Sequence, residues 1–87
     1  MSTPKNGDLR VWWIPQVPMG AFYQPVQSIR EAKLLLDTLA KYDLFQYEHR
    51  VKPDCSNAGG LEVYGNDGWI EWSDENGDDI DTTENTN

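Results

Sequence analysis

Cysteine is almost missing from this chain: Cys55 stands alone among 87 residues. That excludes an internal disulfide and fits a reducing cytoplasm better than a secreted, stapled scaffold. Long apolar runs are missing as well. No stretch approaches the ~20 residues that cross a bilayer, and the polar start Met1-Ser2-Thr3-Pro4-Lys5-Asn6-Gly7-Asp8 lacks the apolar centre of a secretory signal. Histidine occurs once, as His49. A Cys/His nucleophilic site needs the two together in an electropositive setting, and Lys52 alone gives thin support, so catalysis of that kind is disfavoured. Bases disappear from Asp74 onward, where Asp74, Glu75, Asp78, Asp79, Asp81 and Glu84 go unanswered. Most of the formal charge of −8 therefore sits there, and the first 73 residues carry nine acids against seven bases. Clustered Lys and Arg confer affinity for a phosphate backbone, and their scatter here disfavours direct nucleic-acid binding.

What the chain does have is rings: ten aromatic residues, four of them Trp, which supply most of the area a core this small can bury. Leu9-Arg10-Val11-Trp12-Trp13-Ile14 is rich in β-branched and aromatic residues and ends at Pro15, which predicts a strand. A Pro- and Gly-containing stretch follows, of which Ala21 to Gln24 can lie extended at a sheet edge. Ser28 and Glu31 form the S-x-x-E capping box, and Ile29, Ala32, Leu35, Leu36 and Leu39 make one apolar stripe opposite Arg30, Lys33, Asp37 and Lys41. These predict an amphipathic helix covering a sheet. The segment Asp43 to Arg50 reads equally as a second short helix or as an extended run. Leu61-Glu62-Val63-Tyr64 and Trp69-Ile70-Glu71-Trp72 flank Gly65-Asn66-Asp67-Gly68 and predict a hairpin. The expected organisation is a disordered leader over 1–8, one α+β domain over 9–73 and a flexible acidic tail over 74–87. Within the domain, an antiparallel or mixed sheet of one N-terminal strand plus the C-terminal hairpin carries one amphipathic helix.

Several chemical readings fail on spacing. Taking Asp74 as the first position of a calcium loop puts Asp79 where glycine is required and Asn85 where a glutamate belongs. Glu62 and Glu71 face each other across the predicted hairpin, an ordinary solvent-side pair. Asn57-Ala58-Gly59-Gly60 resembles part of an anion-cradling loop, yet it precedes a strand and has neither dinucleotide nor Walker spacing; a structural turn is the plainer reading. No metal, cofactor or catalytic residue is assigned, and no enzyme is expected. More informative are Trp12 and Trp13, which as neighbours on a strand point to opposite faces, so one ring needs a cover other than a single-sided core. A loop with Phe22 and Tyr23, a second subunit or a partner can supply it. The candidate partner- or ligand-binding set is Trp12, Trp13, Phe22, Tyr23, Arg50, Lys52, Asn57, Gly59 and Gly60.

The strings Val11-Trp12-Trp13-Ile14-Pro15-Gln16-Val17-Pro18-Met19 and Lys52-Pro53-Asp54, then Asn57-Ala58-Gly59-Gly60-Leu61-Glu62-Val63, together with Glu71-Trp72 leading into an Asp-rich end, resemble the small bacteriophage and prophage superinfection exclusion proteins. The likeness spans roughly residues 10 to 80. It implies a phage- or prophage-encoded accessory protein, working in the host bacterial cytoplasm, that excludes another genetic element or escapes exclusion by one. It brings no catalytic residues with it. Three mechanisms fit. The first is a non-catalytic, stoichiometric inhibitor that binds a host or prophage defence protein, in the manner of an anti-CRISPR. The second is a homo-oligomeric sponge for a small nucleotide signal, stacking a base on Trp or Tyr and holding phosphate at a subunit interface with Arg10, Arg50, Lys52 and the backbone N–H groups of the Gly59-Gly60 loop. The third is an acidic nucleic-acid mimic.

Overall fold

The computed structural model describes residues 3–16, 19–49 and 57–84. The chain runs β1 (Leu9–Ile14), β2 (Phe22–Val26), α1 (Ile29–Glu48), β3 (Ala58–Gly65) and β4 (Gly68–Glu71). The strands form one antiparallel sheet in the order β2-β1-β3-β4, an α+β arrangement with one helix against the sheet. Beyond the predicted strand and hairpin, the Ala21–Gln24 region supplies a fourth strand. Its Pro25 is tolerated because β2 is an edge, where a missing N–H breaks no interior ladder.

The helix starts where the capping box places it: Ser28 Oγ accepts from the Glu31 N–H at 3.1 Å. The Glu31 carboxylate reaches one residue further back than the usual box, accepting from the Gln27 N–H at 2.7 Å. The helix is then continuous to Glu48, so Asp43 to Glu48 is neither a separate helix nor extended. The sequence obscures this because the buried stripe continues through an acid. Asp43 lies eleven residues, three turns, beyond Ala32 and is buried, with Asn57 Nδ2 donating to its carboxylate. Among the described residues no helix is long and apolar enough to cross a membrane.

Val11, Ile29, Ala32, Leu61 and Ile80 form the core, with Leu9, Val26, Leu35, Leu36 and Trp72 packed against it. Ile80 belongs to the acidic segment that composition assigns to a tail outside the domain. It is 5% exposed, so this segment lies over the same core, and Lys33 Nζ donates to the Thr83 carbonyl at 2.8 Å. One isoleucine in a run of acids was too little periodic signal to show this. At the other end, residues read as a leader meet the hairpin: the Gly7 N–H donates to Tyr64 O and the Tyr64 N–H to Asp8 O, both at 2.9 Å.

Candidate aromatic face of the sheet

Strand alternation sorts the side chains onto two faces. Pairings Val11↔Leu61 and Trp13↔Gly59 lie on the helix side, whereas Trp12↔Gly60, Trp12↔Tyr23, Glu62↔Glu71 and Tyr64↔Trp69 lie on the other. No described helix packs on this second face, since α1 takes the first. The adjacent tryptophans divide as alternation demands. Trp13 is buried at 6% exposure on the helix side, while Trp12 is half-buried on the open side.

Both indoles depend on the glycine opposite. A Cβ on Gly59 would fall 2.4 Å from Trp13 Cε3, and one on Gly60 2.5 Å from Trp12 Nε1. The Gly-Gly pair is thus neither a turn nor an anion nest. It lies inside β3 without positive φ, and its missing side chains make room for one indole on each face.

At the centre of the open face stands Arg10. Its guanidinium carbon lies 3.9 Å from the centroid of the Tyr23 ring and 4.2 Å from that of Trp69. Its Nε donates to Glu62 Oε1 at 2.7 Å. A planar cation stacked on two rings and paired with a carboxylate is held on several sides, each cation–π contact contributing about 0.5–2 kcal/mol. Tyr64 meets Trp69 edge to face at 5.3 Å between centroids, which extends the aromatic surface. Tyr23 is half exposed.

The structure gathers some of the predicted residues and disperses others. Trp12, Tyr23 and Gly60 share the open face. Trp13 and Gly59 lie on the helix side, and Phe22, opposite Trp13 in register, is directed there too. Asn57 is turned toward Asp43 of the helix, so its carboxamide fixes the entry to β3. Arg50 and Lys52 lie outside the described residues. Sequence reasoning did not place Arg10, Glu62, Tyr64 and Trp69 together. The signal was present in the alternation: Trp12 outward implies Arg10 outward, and the hairpin turn sets Tyr64 opposite Trp69.

The segment after β4 is organised by one carboxylate. Asp74 Oδ1 accepts from the N–H groups of Asn76 and Asp78 at 2.8 and 2.9 Å, and Oδ2 accepts from Thr83 Oγ1 at 2.6 Å. The Thr83 hydroxyl above all, with the backbone N–H groups, holds the Asp74 carboxyl below its ordinary value. Among the described residues no group of three or more His, Cys, Asp or Glu side chains is placed to hold a metal ion.

Comparison with known proteins points one way. The family model described as superinfection exclusion gene product 17 matches residues 8–87. A superinfection exclusion protein of Salmonella phage P22 is 42% identical, the match covering 77% of this chain and 78% of that protein. No solved structure matches.

Proposed function

The chain belongs to the superinfection exclusion gene product 17 family, and from that premise we propose that it acts without catalysis, binding a host or prophage defence protein stoichiometrically in the host cytoplasm. The observation that carries this reading is the sheet face of Trp12, Tyr23, Tyr64 and Trp69 around Arg10, which no described helix covers. Aromatic and arginine side chains on a firm scaffold are the groups that dominate protein–protein binding energy, and the stacking about Arg10 fixes them before any partner arrives.

The two other mechanisms fit less well. A nucleotide sponge needs arginine and glycine backbone free for phosphate. Here Arg10 is matched by Glu62, and the indoles of Trp13 and Trp12 pack against Gly59 and Gly60. A nucleic-acid mimic needs carboxylates in outward rows, whereas Asp74 turns inward and Asp79 Oδ1 accepts from the N–H groups of Asp81 and Thr82.

The test expresses the protein in its bacterial host and measures plating efficiency of a challenge phage, with Tyr23→Ala and Trp69→Ala beside the unaltered chain. Truncating a central interface ring costs about 2 kcal/mol or more, roughly a thirtyfold loss of affinity. Both variants should therefore lose most of the effect while keeping the native circular dichroism spectrum. Full effect from both, at equal protein level, removes the open face as the binding surface. Native mass spectrometry of the purified protein then separates a complex of fixed stoichiometry from an oligomer carrying a nucleotide.

A further inference from the structure

The open face holds one more acid than base. Glu62 and Glu71 are direct cross-strand partners, an arrangement in which like charges destabilise a sheet. Arg10, the cross-strand partner of Glu62 on β1, is committed to Glu62 at 2.7 Å and fixed there by Tyr23 and Trp69. Lys33 and Lys41 are engaged elsewhere, with the Thr83 carbonyl and Asp37. Glu71 is exposed, and among the described residues its side chain has no hydrogen-bond or ion-pair partner. It lies two residues from Trp69 on the same face of the same strand, about 7 Å along β4. The tolerated repulsion is therefore next to an aromatic ring already used for cation stacking.

We infer that Glu71 receives a lysine or arginine side chain from the protein partner, with Trp69 beside it as the stacking surface, so that the partner's docking surface is basic. This rests on the protein-binding reading above and adds the chemistry of the partner. The net charge of −8 opposes a second copy of this chain, a nucleic acid or an anionic lipid surface at the same place, and it draws a basic protein toward it. The Arg10–Glu62 pair shows the pattern in miniature: one carboxylate, one cation, two rings. Glu71 repeats the carboxylate beside a ring, with no cation paired to it among the described residues.

The experiment uses the full chain in the same plating assay. It compares Glu71→Gln and Glu71→Lys with Glu75→Lys, a matched charge reversal at an exposed acid away from the sheet. Glu71→Lys sets a cation opposite Glu62, so a thermal melt should show it no less stable than the parent. The expected result is about a tenfold or greater loss of effect for Glu71→Gln, none remaining for Glu71→Lys, and the parental effect for Glu75→Lys. If both Glu71 variants keep the effect while Tyr23→Ala loses it, the basic partner is refuted and the protein-binding reading stands. If all of them keep it, both fall. Equal loss in Glu71→Lys and Glu75→Lys, with Glu71→Gln unchanged, assigns the effect to net charge and overturns Glu71 as the receiving site.

Discussion

Gly59 and Gly60 are neighbours in one strand, yet the same substitution should act differently at each. A Cβ at Gly59 meets Trp13 at 2.4 Å and Leu36 Cδ2 at 3.1 Å, both on the helix side. Close-packed surroundings cannot retreat cheaply, and overpacking of this kind costs about 1–3 kcal/mol. At Gly60 the obstacle is Trp12, whose half-buried indole lies on the face where no described helix packs against it. Gly59→Ala should thus lower the urea midpoint clearly, while Gly60→Ala should leave it nearer the parent and instead shift the tryptophan emission as Trp12 enters water. Equal midpoints for the two would show that the faces do not differ in packing. Such glycines are easy to misread, because a Gly-Gly pair signals turns by composition, whereas these are set by which residue sits across the ladder.

At the scale of elements, legibility followed periodicity. The 3.6-residue stripe with its capping box located α1, and the Gly/Asn/Asp turn located β3 and β4, with Gly68 at φ 101° supplying the conformation such a turn requires. β2 was harder, since Pro25 argues against a strand unless the edge position is known. The helix end was ambiguous because Asp43 puts a polar group on the buried stripe. The segment after β4 had no periodicity, and its order comes from side chain to backbone bonds that radiate from Asp74. That arrangement makes a pH prediction. The Asp74 carboxyl is more acidic folded than its ordinary 3.8, so its contribution to stability is fully present above pH 3.8 and is lost as the pH falls through the lower native value. Carbon-13 titration should place the Asp74 midpoint below 3.8, and Thr83→Val, which removes the hydroxyl donor to Asp74 Oδ2, should move it upward. An unmoved midpoint in that variant would assign the shift to the backbone N–H groups alone.

For the whole molecule, the decisive contact is the one the acidic segment makes with the core. Ile80 joins Val11, Ile29, Ala32 and Leu61, so Ile80→Ala should cost about 2–5 kcal/mol, as for other buried Ile or Leu truncations. A loss below about 0.5 kcal/mol, the range of surface changes, would mean that the segment contributes charge but no packing. The open face was only half visible from sequence for a related reason: alternation tells which residues share a side, but not which side a distant helix will choose. The strand order has a further consequence, in time. β1 is translated before every other strand, yet it lies between β2 and β3, and the core above it closes with Ile80. A growing chain that has released only β1, β2 and α1 holds a sheet missing its inner neighbour and a helix without its full cover. Most of the ladder contacts of β1 span some fifty residues, the kind of distant closure that delays folding. The sheet and its core therefore close only after β3 and Ile80 have been made, and until then the rings of β1 and β2 on the open face lack the cross-strand partners that β3 and β4 supply.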